Sequence, residues 1–218
     1  MNKKKFILLI SSLLIITGGV VVYNIYGKIY KPNVVKDGFI FIKTNSTLTD
    51  VENEVSPFLK QVKSFAWVAK RKNYQESIKP GKYKITKGFS NSDIINVLRS
   101  GQQTPTLVVF NNQHSLEELS GRVAEQIEAD SISILNAMTD VVFLEKNQFT
   151  LKSALGMYVP NSYEFYWNTT AEQFRDRMYL EYNRFWNEKR ENEAKTQFKQ
   201  NKGYCPSIYC AKRNCKNF

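Results

Sequence analysis

The chain has 218 residues, with 31 Lys+Arg against 20 Asp+Glu, a single histidine and a formal net charge of +11. Hydrophobic residues make up 42% and charged residues 23%, which excludes a disordered or collagen-like chain, and 3 cysteines are too few for a disulfide scaffold. The charge is largely an end effect: Lys3–Lys5 lie before residue 27, Lys202, Lys212, Arg213 and Lys216 lie after residue 200, and residues 27–200 carry a net of only +4. Within that stretch no basic run exceeds Lys70-Arg71-Lys72, so no nucleic-acid partner is expected.

Phe6–Tyr23 carries no charge. Eighteen helical residues reach about 27 Å, close to the hydrocarbon thickness of a bilayer. Asn24-Ile25-Tyr26 continues the segment into the interface, where tyrosine is favoured. A cleaved signal peptide would need a small-x-small site after a shorter apolar run, and a lipoprotein would need a cysteine there. Residues 1–26 are therefore expected to form a cytoplasmic tip and single-pass anchor in the plasma (inner) membrane. Lys3–Lys5 hold the N-terminus in the cytoplasm, a bias that Lys28 and Lys31 oppose, and the bulk of the chain is extracytoplasmic.

The middle of the chain predicts an α+β arrangement. Phe39–Lys43 reads as a strand. Ser46 or Thr47 caps a helix through about Lys60, with Leu48, Val51, Val55 and Leu59 on one face and a division or kink at Pro57. A second helix starts at Ser64 with Phe65, Val68 and Ala69 inward, and Pro80-Gly81 turns into a strand over Lys82–Ile85. Asn91–Arg99 is a short helix closed by Gly101, and Thr106–Phe110 is a third strand. Ser115 and Glu118 have the spacing of a capping box, opening a helix through about Ile127. Beyond Ser131 the chain is helical again. Residues 156–167 then concentrate aromatics around Pro160, Asn161 and Glu164, and an amphipathic helix with Phe174, Met178, Tyr182 and Phe185 inward follows Thr169-Thr170. The charged face of that helix reads as solvated.

Little of the usual catalytic vocabulary is present. His114 precedes a capping box and reads as structural, no metal-ligand spacing occurs, and no phosphate loop or nucleophile elbow is present. Neither a metal nor a cofactor is expected. Cys205, Cys210 and Cys215, five residues apart, fit neither a zinc ribbon nor a redox pair. The aromatic passage has two readings, core filling or a sugar-binding cleft, since aromatic faces stack on pyranose rings while Asn161 and Glu164 supply hydrogen bonds.

In order along the chain, the anchor, the strand–helix–helix–strand unit ending in Pro80-Gly81-Lys82-Tyr83, the helix from Ser92 to Gly101, Thr106–Phe110, the Leu116–Ile127 helix and Pro160-Asn161-Ser162-Tyr163-Glu164 resemble the endolytic murein transglycosylases, a YceG-like family in which the last motif reads Pro-Asp-Thr-Tyr. The resemblance covers about residues 1–198. It implies a LysM-like βααβ subdomain at 36–104 and, at 105–200, the N-terminal part of a mixed, mainly helical catalytic domain. The implied activity is cleavage of peptidoglycan glycan strands to 1,6-anhydro-muramic acid ends, in cell-wall organisation, with the elongation machinery as partner. With the sugar-cleft reading of the aromatic passage, the expected substrate-binding residues are Asn161, Tyr163, Glu164, Tyr166 and Trp167. The alternative is a non-catalytic, membrane-anchored peptidoglycan-binding protein.

The family's catalytic glutamate lies in a segment reading roughly Ala-Ser-Ile-Val-x-x-Glu-Thr, after the long helix. No such segment stands in this sequence, which leaves the catalytic residue unassigned and Glu164 as a fallback acid. Residues 201–218 hold all three cysteines and no acid. If Ile208–Lys216 is back-translated with Arg213 as an AGR codon and read one base later, permitted codons spell Ser-Ile-Val-Gln-Lys-Glu-Thr-Val. The expectation is therefore a frameshifted tail and a truncated catalytic domain, inactive as written.

Overall fold

A computed structural model describes residues 3–186 and Arg190; the tail expected to depart from the fold, residues 201–218, lies outside the described residues. Packing divides the chain into two units, Met1–Thr104 and Pro105–Phe218, each a mixed α/β assembly with its own buried apolar cluster.

The first unit opens with helix α1 (Lys3–Tyr30). Leu13, Leu14, Ile15 and Ile16 are consecutive, so they point to every side of the helix, and all four are exposed. A helix apolar all round suits hydrocarbon rather than water. Its Ser11–Tyr30 stretch is long and apolar enough to cross a membrane. Within that stretch the Thr17 hydroxyl bonds back to the Leu13 carbonyl at 2.9 Å.

Strand β1 (Gly38–Ile42) pairs antiparallel with β2 (Gly81–Ile85), Ile40 opposite Tyr83. Alternate residues Ile40, Ile42, Tyr83 and Ile85 turn inward onto Val51, Val55, Phe65 and Val68. Between the strands lie α2 (Leu48–Val55) and α3 (Val62–Arg71), giving the order strand–helix–helix–strand. The helix is divided at Pro57, one of the two outcomes expected there: α2 stops at Val55, and Pro57 sits in a 3₁₀ turn, Ser56–Phe58, because it cannot donate to the α-helical ladder. Thr47 is the cap, its hydroxyl accepting from the Asp50 amide while the Asp50 carboxylate accepts from the Thr47 amide at 2.8 Å. The Ser46 hydroxyl instead donates to the Lys43 carbonyl. Helix α4 (Asn91–Ser100) has the same reciprocal cap from Ser90 and Asp93 and ends at Gly101, whose φ of 74° lies in the region that favours glycine.

The second unit contains β3 (Thr106–Phe110), α5 (Leu116–Ala124), α6 (Ser131–Met138), α7 (Val141–Lys146), β4 (Asn161–Phe165) and α8 (Ala171–Phe185). β4 is an unexpected element. It pairs antiparallel with β3, Val108 opposite Tyr163. α8 packs as its spacing predicts: Phe174, Met178 and Tyr182 are buried, with Phe185 at the margin. The capping box at Ser115 is only half formed. The Ser115 hydroxyl accepts from the Glu118 amide, but the Glu118 carboxylate takes the His114 amide at 3.0 Å instead of that of Ser115. Helix α5 ends at Ala124, and Ile127 is buried beyond its end.

Candidate functional site

The motif around Pro160 is a strand, so its side chains alternate between two faces. Tyr163 and Phe165 face the core, while Ser162 and Glu164 face solvent. The Tyr163 ring stacks on Phe110, centroids 5.8 Å apart, and its hydroxyl donates to the Val159 carbonyl at 2.6 Å. Burial, reinforced by the negative charge of Glu181, pushes this hydroxyl above its ordinary pKa. Tyr163 therefore stays a neutral donor locked to the backbone.

The five residues expected to bind sugar do not form one surface. Glu164 stands opposite Leu107 on the solvent side of β4. Tyr166 is exposed just beyond the strand, and Trp167 is half-buried, its carbonyl accepting from the Glu128 amide at 2.7 Å. Asn161 and Tyr163 line an open cleft of about 250 Å³ with Val159, Glu181, Arg184, Phe185 and Arg190. The Asn161 side-chain oxygen accepts from the Ser162 amide at 2.8 Å, which shapes the start of β4.

Glu181 and its arginines went unrecognised in the sequence, where the charged face of α8 reads as solvated. The Glu181 side chain is only 13% exposed and lies between Arg177 at 2.8 Å and Arg184 at 3.1 Å. The signal was present as spacing: arginines stand four residues before and three residues after the glutamate, on one helix face. Arg190 lays its guanidinium over the Phe185 ring, 4.4 Å from the centroid. The cleft thus joins an amide, a clamped carboxylate and guanidinium groups beside an aromatic ring. These groups suit a polar, partly anionic ligand with one apolar face. Among the described residues no group of three His, Cys, Asp or Glu converges as metal ligands would.

Comparison with protein families gives a match of the YceG-like family over residues 40–206. Comparison with curated proteins gives no match. Among solved structures, the crystal structure of a YceG-like protein from Listeria monocytogenes is similar at 19% identity and a TM-score of 0.42, over 74% of this chain and 59% of that one. The chain therefore spans less than two thirds of that relative's length.

Proposed function

Because the chain belongs to the YceG-like family, we propose that it derives from a membrane-anchored endolytic transglycosylase that cuts peptidoglycan glycan strands. The observation that carries this reading is the family match across both units, from residue 40 to residue 206. In it, α1 crosses the membrane once with Lys3–Lys5 on the cytoplasmic side, and residues 31–218 act outside. The βααβ part of the first unit is LysM-like and holds glycan. In the second unit, the cleft beside Asn161 and Tyr163 takes one flank of the strand. Arg184 or Arg190 meets the lactyl carboxylate of muramic acid, and Asn161 meets an acetamido group.

The reaction needs one carboxyl group. It protonates the glycosidic oxygen, and the deprotonated form then removes the proton from the muramic 6-hydroxyl as that oxygen closes on the anomeric carbon. In this reading the carboxyl belongs to the Ala-Ser-Ile-Val-x-x-Glu-Thr segment, which the tail from residue 201 replaces after a frameshift. Writing Ser207 as AGC supplies the alanine as well, so the shifted frame accommodates Ala-Ser-Ile-Val-Gln-Lys-Glu-Thr from Ser207 onward. Glu164 stands exposed on β4 opposite Leu107, outside the cleft that Asn161 and Tyr163 line.

The test has two parts. The nucleotide sequence over codons 200–216 should read Ser-Ile-Val-x-x-Glu-Thr one base later. Purified sacculi should release 1,6-anhydro-muropeptides with the frame-restored full chain and none with the chain as written. Release by the chain as written would sink the missing-glutamate reading. Binding without release by the frame-restored chain would favour a non-catalytic glycan-binding protein.

A further inference from the structure

Where α1 leaves its apolar stretch, its last turns fold against α3 and α4 beside a cavity of about 330 Å³. The floor is a buried amide network. Asn33 and Asn91 are 5% and 1% exposed, and the Asn33 side-chain amide donates to the Asn91 side-chain oxygen at 2.8 Å. Asn91 in turn donates to the Lys28 carbonyl at 2.7 Å and to the Ser64 hydroxyl at 3.0 Å. Asn33 also accepts from the Gln61 amide at 2.9 Å. The network ties the end of α1 to α3 and α4 and fixes where the neighbouring side chains emerge.

Those side chains are cationic. Lys28, Lys31 and Lys60 line the cavity, and no acidic residue does. Lys28 sits over the Trp67 ring, 5.3 Å from its centroid, and Lys31 over the Tyr23 ring at 4.7 Å, with its ammonium 3.4 Å from the Tyr23 hydroxyl. Aromatic faces hold two of the three lysines without neutralising them. Among the described residues, the ion pairs of Arg122, Arg175, Arg177 and Arg184 leave these lysines unengaged. Three uncompensated cations around a polar hollow make a site for an anion.

The position of the hollow selects the anion. If Ser11–Tyr30 crosses the bilayer, Lys28 and Lys31 stand where the span meets water, at the depth of the lipid phosphates. We propose that this cavity binds the phosphate of an anionic phospholipid in the leaflet facing away from the cytoplasm. The proposal rests on reading α1 as a membrane span. It also gives Lys28 and Lys31 a role on the side of the membrane where basic residues are otherwise disfavoured.

The test uses the full chain in phosphatidylcholine nanodiscs with or without phosphatidylglycerol, released into neutral detergent and weighed with its retained lipids by native mass spectrometry. The wild-type chain should retain phosphatidylglycerol over phosphatidylcholine. Lys60→Gln, at an exposed position, should lower that preference about fivefold, and Lys60→Arg should keep it. The triple change Lys28→Gln, Lys31→Gln and Lys60→Gln should abolish it. Equal retention of the two lipids, or a preference untouched by Lys60→Gln, overturns the proposal. Occupation of the site by free glycerol phosphate as readily as by the lipid overturns it in favour of a soluble phosphate site. Release of the chain from membranes by alkaline carbonate overturns the span itself, a failure distinct from equal lipid retention by an inserted chain.

Discussion

Arg175 shows how one side chain can hold a corner of the second unit. Only 11% of its side chain is exposed, and its guanidinium reaches Asp140 at 3.0 Å, Asp176 at 2.8 Å and the Ala137 carbonyl at 3.5 Å. The guanidinium also lies 3.9 Å from the centroid of the Phe143 ring. Ala137 is near the end of α6, and Asp140 caps α7 by accepting from the Val142 amide at 3.0 Å. One planar donor group on α8 thus fixes both termini of the α6–α7 turn. Arg175→Met keeps much of the volume but removes every donor, and it should lower stability by about 2 kcal/mol, because charge-assisted bonds are lost while Asp140 stays partly solvated. Urea unfolding should show this as a lower midpoint with an unchanged slope. Arg175→Lys should recover less than half the loss, since an ammonium cannot serve three acceptors in one plane. A midpoint for Arg175→Met equal to wild type would reduce the cluster to decoration. In the sequence this residue is one arginine among the many charges of α8. Only the position of the α6–α7 corner, which no local pattern encodes, makes it inward.

At the scale of elements, legibility followed the range of the interactions involved. α4 and α8 were readable because their signals are local: apolar spacing closed by Gly101 for the first, and apolar spacing after Thr169-Thr170 for the second. β4 was not, because its partner is β3, far back in the chain, and no hairpin turn announces the pairing. The shared cleft was correspondingly legible only in part. Composition marked Asn161 and Tyr163, but without the strand the alternation that sends Glu164 and Tyr166 elsewhere could not be seen. The sheet also has a device invisible to propensity. The Gln126 side chain lies against β3, accepting from the Val109 amide at 2.8 Å and donating to the Val109 carbonyl at 3.1 Å. An amide side chain thus occupies the place of a neighbouring strand and closes the β3 edge. Gln126→Ala should cost about 1 kcal/mol, because water can replace both bonds at this partly exposed position. Hydrogen exchange should accelerate at the Val109 amide while Val108 and Tyr163 keep their protection. Unchanged exchange at Val109 would show that the clasp does not persist in solution.

For the molecule as a whole, the charge of +11 and the apolar helix offer two routes to a membrane, and they differ in what breaks them. A chain held by its lysines would be an electrostatic guest. At about 1 M salt the screening length falls to roughly 3 Å, and such binding is lost. A chain held by Ser11–Tyr30 buries apolar side chains on every face of α1, an interaction that salt strengthens rather than weakens. The full chain should therefore stay with the membrane fraction through a high-salt wash and an alkaline carbonate wash, and leave it only in detergent. The intact mass of the retained protein should correspond to all 218 residues. Release by salt would make the charge the anchor and α1 a bystander. Retention with a mass short of the first turns of α1 would mean that the segment is processed and that another part of the chain holds the membrane. Retention through both washes with the mass intact would assign the attachment to the helix, and would leave to the charge the two parts proposed for it: direction for Lys3–Lys5, and choice of lipid for Lys28, Lys31 and Lys60.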